Sequence, residues 1–446
     1  MTTFDRVLPE LLRICAEDSA SGSAVRRYCV IRDVRGRIRL AVMPNVEPHL
    51  DCRSLEQNLT ATLGGYFVPP VLSTEQKGDR GRLAQKLLDL AGGKWPRGWP
   101  ESFQNVLGGG STDIEVGDRW TGIERTIGKE AWLTDSPPAP PWTLIPGKTP
   151  AIVTFHSFKG GVGRTTLVAA YALRLATADP PLRVAVVDLD LEAPGLASLL
   201  GVTTPRGVLD VLVDHLATGR IDLAEAAEKA ALEGDPGGRI TVFGAGRVDD
   251  TYLQKLARLD FSSTEPGLAN PVGQALVDML LAIKGDCDVI LLDSRAGLHD
   301  LAGMSLHGLA HVEVLVFRGT EQNLAGMAQT LRTLGSRGAS RLVLVETLLP
   351  ADEELSDRRK NKSRERAYEL LCQHVYPEDD PPQLLDVGEP HDVVPVGRKE
   401  WLDGLDSVGD RISDLLQDRE LVAMGQRIDE ARGSGSARGE DDEGEE

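Results

Sequence analysis

The sequence predicts an α/β protein in which a doubly wound, mostly parallel sheet follows a smaller α+β domain. Three observations lead there. Between residue 151 and about residue 405, short Val/Ile/Leu-rich runs alternate with stretches of helical apolar spacing. That is the rhythm of strands buried on both faces and joined by crossover helices. The first run, Ala151–Phe155, passes into a loop carrying three glycines and then into a helical pattern, Thr165–Asp179. Two later runs, Val184–Val187 and Val289–Leu292, stop on aspartates, as strands do where polar chemistry collects at the carboxyl edge of a parallel sheet.

Taken in order, residues 1–134 read as an accessory α+β domain of unassigned role. Phe4, Val7, Leu8, Leu11, Leu12 and Cys15 share one helical face. Tyr28–Ile31 and Ile38–Val42 read as two strands joined at Asp33–Arg37, and Leu55–Leu63 and Leu83–Leu90 as helices. Trp95, Trp99, Trp120 and Trp132 read as core, or as a peptide-binding surface among prolines and glycines. The proline-dense stretch Asp135–Pro150 is expected to be an extended connector. In residues 151–432 the strands are Ala151–Phe155, Val184–Val187, Arg239–Phe243, Val289–Leu292 and Val312–Phe317, with Leu342–Val345 a sixth. A last helix is expected over residues 408–431, and Gly433–Glu446 reads as a disordered acidic tail.

Composition narrows the class. The chain has 446 residues, 41% hydrophobic and 26% charged, as in ordinary globular proteins. No apolar run approaches the ~20 residues needed to span a bilayer, and no secretory leader is evident, so neither membrane insertion nor export is expected. Five scattered cysteines without a C-x-x-C pair point to a reducing cytoplasm and away from structural zinc or iron–sulphur sites. A net charge of −19 opposes non-specific attraction to DNA or anionic lipid. The dense basic run Arg358–Arg366 reads as a nucleic-acid contact or as a solvated helix face neutralising Asp352, Glu353, Glu354 and Asp357, the second being preferred.

The loop carries the chemistry. Gly160, Gly161 and Gly163, with Val162 between them, let successive backbone N–H groups converge on phosphate oxygens, and the helix N-terminus beyond adds partial positive charge. Thr165, followed by Thr166, stands where a loop hydroxyl would meet Mg²⁺. Carboxylates at buried strand ends, here Asp188, Asp190 and Asp293, need a cation or donors opposite them, or else they cap the segment that follows.

Residues 159–166, KGGVGRTT, resemble the deviant loop K-G-G-x-G-K-[ST]-[ST] of the MinD/ParA family of P-loop ATPases. The resemblance covers roughly residues 150–405 and implies a P-loop NTPase fold with ATP and Mg²⁺ as cofactors. It makes Lys159 the signature lysine that reaches the nucleotide of a second subunit, and so implies an ATP-dependent homodimer with a protein partner. It assigns Asp188 and Asp293, with Thr165, to the metal shell, Asp190 to the attacking water, and the Gly297 backbone to sensing the γ-phosphate. Softer matches are Gly207–Leu212, read as a segment behind the second switch, and Gly388–Pro395, read as the end of the last strand. Glu346-Thr347 stands where relatives often read adenine with an asparagine.

Two departures matter. Arg164 replaces the loop lysine, keeping the charge but exchanging a compact ammonium for a planar, bidentate group; nucleotide binding with slow hydrolysis is the expectation. Arg295 stands where the family has a proline, and reads as a charge-stabilising group or as a surface residue. Small-molecule ligases of this fold generally lack the signature lysine, tyrosine kinases carry a tyrosine-rich tail, nitrogenase-type relatives need bridging cysteines, and arsenite-pump ATPases have two loops. A nucleotide-switched dimer that regulates a protein partner is the preferred reading, with a non-hydrolysing nucleotide-binding scaffold or a DNA partition ATPase as the alternatives.

Overall fold

The computed structural model describes residues 2–17, 24–46, 50–92, 99, 119–125, 128–133, 139–232, 235–259, 261, 270–335 and 341–433. Trp95 and the acidic tail beyond Gly433 lie outside these. The chain divides into two compact units, Met1–Ile127 with Leu133–Asp135, and Gly128–Trp132 with Ser136–Glu446.

In the first unit, β1 (Val25–Arg32) and β2 (Ile38–Pro44) pair antiparallel, while β3 (Leu72–Ser73) and β4 (Trp120–Glu124) add in parallel to give the order β3-β2-β1-β4. Helices Phe4–Glu17 and Cys52–Leu63 cover one face with Val7, Leu11, Leu55 and Leu59, and helix Asp79–Ala91 covers the other with Ala84 and Leu88. Phe4 departs from the expected apolar face; it is exposed, under the Arg32 guanidinium. Of the four tryptophans singled out in the sequence, the three described are core. In this unit Trp99 and Trp120 are buried, and Trp120 stacks on Tyr28 with ring centroids 3.9 Å apart; Trp132, in the second unit, is buried there with Leu306 and Leu315.

The second unit is built on an eight-stranded sheet: β5 (Ala151–His156), β6 (Val184–Asp188), β7 (Glu228–Lys229), β8 (Ile240–Phe243), β9 (Val289–Asp293), β10 (Val312–Phe317), β11 (Leu342–Leu349) and β12 (Val394–Gly397). Their order is β12-β11-β10-β5-β9-β6-β8-β7, parallel throughout except for the antiparallel edge strand β7. All six residues of β5 are buried, as are all of β6, β9 and β10, which accounts for runs with no polar alternation. Each expected strand is present. The edge strands β7 and β12 were not read in full because a two-residue strand and one containing Pro395 carry almost no periodic signal.

Two stretches differ from expectation. Residues 139–150 carry an anchor that the sequence did not show: Trp142 is buried, its Nε1 donates to the Pro150 carbonyl at 2.8 Å, and its own carbonyl lies 2.8 Å from His311 Nε2. His311 Nδ1 in turn accepts from the Ile152 amide at the start of β5. The last helix is three pieces, a turn Val408–Arg411 and helices Ile412–Gln417 and Arg419–Gly433, because Asp418 leaves helical geometry and accepts from the Glu420 and Leu421 amides as a new N-cap.

Candidate functional site

The central strand β5 lies between β9 and β10, and its carboxyl end opens into the loop. Gly161 (φ +72°) and Gly163 (φ +82°) take left-handed backbone, which turns consecutive N–H groups to one side. A Cβ at Gly160, Gly161 or Gly163 would meet nothing within 4 Å, so the space over the loop is open. The helix that follows, Arg164–Ala176, is buried on nearly every side, yet its N-cap Gly163 offers no side-chain oxygen to the first turn. Among the described residues, no hydrogen-bond acceptor faces the amides of Lys159 to Thr166. An uncapped N-terminus on a core helix is rare unless a ligand supplies the acceptors.

Phe158 stands where the ordinary loop G-x-x-x-x-G-K-[ST] has its first glycine. Its ring packs on Gly326 of helix Glu321–Leu334, where a Cβ would lie 1.8 Å from the ring. Lys159 is exposed, with its Nζ 5.4 Å from the Phe158 ring centroid. Gly297 also takes positive φ (+79°), and its amide donates to the Ser157 carbonyl at 2.9 Å.

The carboxylates meet where β6 and β9 end in register, Asp188 opposite Asp293. Both are 1% exposed. Arg164, 7% exposed at the first helical position, turns back into this pair of strand ends. Its Nε donates to Asp293 Oδ1 at 2.5 Å, its Nη2 to Asp190 Oδ2 at 3.0 Å, and its Nη1 reaches Ser157 Oγ at 3.5 Å. The fork geometry suits two carboxylates arriving from different strands. Burial works against the guanidinium charge, but Asp293 and Asp190 outweigh it and raise the Arg164 pKa. Burial likewise pushes Asp293 up, with Arg164 and the Thr165 hydroxyl opposing.

Asp188 is satisfied differently. Its Oδ1 accepts from the Asp190 amide (3.0 Å) and its Oδ2 from the Gly195 and Leu196 amides (3.3 and 3.2 Å). Burial, then the charge of Asp293, raises its pKa to about 7 against those three donors. The capping alternative raised by the sequence therefore describes Asp188.

These pairings show what each residue assigned to a metal shell faces in this structure. Of the residues assigned to a metal shell, Asp293 faces a guanidinium and Asp188 has both oxygens taken by backbone amides. No group of three or more His, Cys, Asp or Glu among the described residues is placed to hold a metal ion. The residues do not fit Mg²⁺ in this arrangement. Arg164, expected beside the β- and γ-phosphates, is instead committed to the carboxylates beneath the loop.

The outlying assignments resolve plainly. Arg295 pairs with Glu192, which also lies 3.5 Å from His299 Nε2, so its charge is spent on the segment after β6. Glu346 is buried and accepts from the Gly319 amide and from Arg359 Nε, bracing β11 against helix Glu353–His374. The basic run on that helix is neutralised along its length: Arg358 by Glu354, Arg359 by Glu346, Lys360 by Asp357, Lys362 by Glu321, Arg364 by Asp392 and Arg366 by Glu369. Sequence reasoning missed Ser157 as a partner of Arg164. It also missed the buried Ser294–Ser305 hydroxyl pair (3.1 Å), since isolated serines carry no pattern.

Fold and loop together define an α/β protein with a glycine-rich loop at the carboxyl end of a central parallel strand. No family model and no curated protein matches the chain. Among solved structures it is similar to the septum site-determining protein MinD complexed with Mg-ADP from Pyrococcus horikoshii, at 19% identity and TM-score 0.42 over 64% of this chain and 99% of that one. It is similar as well to a ParA family ATPase from Chlorobium tepidum (16%, TM-score 0.42, 63% and 98%) and to an McdA variant in complex with ATP from Cyanothece (13%, TM-score 0.43, 64% and 98%). These structural neighbours are MinD/ParA-type ATPases. Among the described residues no helix is long and apolar enough to cross a membrane.

Proposed function

We propose that the chain is a MinD/ParA-like nucleotide switch of the cytoplasm, taking ATP on residues 159–166, dimerising through it and passing the change to a protein partner. The observation that carries this reading is the row of acceptor-less amides from Lys159 to Thr166 around three open glycines. Phosphate oxygens satisfy such a row, and the uncapped helix adds favourable charge. Lys159, exposed on the loop, is the residue we assign to contact with the second subunit's nucleotide. None of the five cysteines is in a disulfide, which is compatible with a reducing compartment.

A second reading has its own support. Asp190, the residue assigned to the attacking water, instead accepts from Arg164 Nη2 through its Oδ2. A carboxylate engaged by a guanidinium is not free to orient a water, so on this reading hydrolysis is slow or absent and the chain works as a nucleotide-bound scaffold. Light scattering with and without ATP tests the dimer: wild type doubles in mass and Lys159→Ala stays monomeric. Single-turnover assays then separate switch from scaffold, with Arg164→Lys expected to hydrolyse faster than wild type.

A further inference from the structure

We infer that the Arg164 guanidinium is the resident cation of this site, standing where relatives are expected to hold a divalent metal, and that triphosphate is taken up without one. The nucleotide half of this inference rests on the function proposed above; the cation half stands on the pairings alone.

Acceptor by acceptor, the site is already compensated. Asp293 Oδ1 and Asp190 Oδ2 receive Arg164; Asp188 Oδ1 receives the Asp190 amide, and Asp188 Oδ2 the amides of Gly195 and Leu196. What remains are the second oxygens of Asp293 and Asp190 and the Thr165 hydroxyl that faces Asp293. A divalent ion using them would sit against a guanidinium that cannot release its proton. Two cations side by side in a buried setting repel strongly. Arg164 cannot swing away cheaply either, because it is 7% exposed and leaves two carboxylates behind, one of them 1% exposed. A lysine in its place would be a point charge able to hold one carboxylate, freeing the other for a metal.

Two measurements on the full chain test this. ATP affinity is measured by equilibrium dialysis in excess magnesium and again in EDTA, and Mn²⁺ uptake by nucleotide-free protein is followed by electron paramagnetic resonance. For wild type the two ATP dissociation constants should agree within about threefold. For Arg164→Lys, EDTA should weaken ATP by more than about tenfold. Wild type should leave Mn²⁺ free, while Arg164→Ser, with the carboxylates uncovered, should bind it; if that variant does not fold, Arg164→Lys serves.

A wild-type affinity that collapses in EDTA overturns the inference and leaves the proposed function standing. ATP uptake under neither condition overturns the proposed function, and the Mn²⁺ titration then decides the cation. A tight Mn²⁺ site in wild type, or none gained by either variant, overturns it.

Discussion

Replacing Arg164 by methionine keeps most of the stem and deletes the charge. Two carboxylates then face each other with no cation: Asp293, 1% exposed, and Asp190, whose side chain is 14% exposed. Removing one partner of a buried ion pair costs about 3–5 kcal/mol, and here a single deletion orphans two acceptors, so the upper half of that range applies. At roughly 2–4 °C per kcal/mol for a domain of this size, the melting midpoint should fall on the order of 10 °C. The pH dependence carries the mechanism. Burial already raises the Asp293 pKa above 3.8 with Arg164 in place, and without it the folded chain holds a proton that the unfolded chain has released. The variant's deficit should therefore be small near pH 5 and grow toward pH 8. Urea unfolding followed by circular dichroism at both pH values reads this, and adding Asp293→Asn to the variant should recover most of the loss at pH 8. A deficit under about 1 kcal/mol that is the same at both pH values would refute the burial-and-pairing argument.

Three further outcomes are expected. Because burial lifts Asp188 from 3.8 to about 7, folded chain retains a proton across that interval and wild-type stability should decline as pH rises through it, by up to ~1.4 kcal/mol per pH unit. Asp188→Asn should remove that slope, and urea midpoints at pH 5, 6, 7 and 8 that run parallel for both proteins would contradict it. Gly326→Ala places a Cβ 1.8 Å from the Phe158 ring and should cost ~1–3 kcal/mol in a thermal melt, relieved by a second change, Phe158→Ala. Lys159→Ala, at an exposed position, should leave the melting midpoint within about 1 °C while abolishing the ATP-dependent rise in mass; a lowered midpoint would mean the lysine is structural.

How much of this was legible in the sequence differs by scale. The sheet was, since β5, β6, β9 and β10 are buried on both faces and therefore read as mostly apolar runs rich in Val, Ile and Leu. The loop was, because left-handed backbone at Gly161 and Gly163 has a residue-type signature. Side-chain direction was not. A loop cation at position 164 looks identical in a sequence whether it points up toward a phosphate or down between two strand ends. What could have given it away is arithmetic: three carboxylates at buried ends with arginine, whose planar fork spans two of them, replacing lysine. The partner of the Gly297 amide was not legible for a related reason, as positive φ says nothing about which carbonyl it will find. The break at Asp418 was missed because apolar spacing continues across it, while the cap that divides the two helices is local.

Isothermal titration of the full chain with ATP bears most directly on the central claim, that the amides of residues 159–166 hold a triphosphate. Wild type should bind at one saturable site per chain, and Gly163→Val, forced out of its φ of +82°, should lose that heat while staying folded by circular dichroism. Absence of any saturable heat from wild type up to millimolar ATP, or undiminished binding by Gly163→Val, would contradict it.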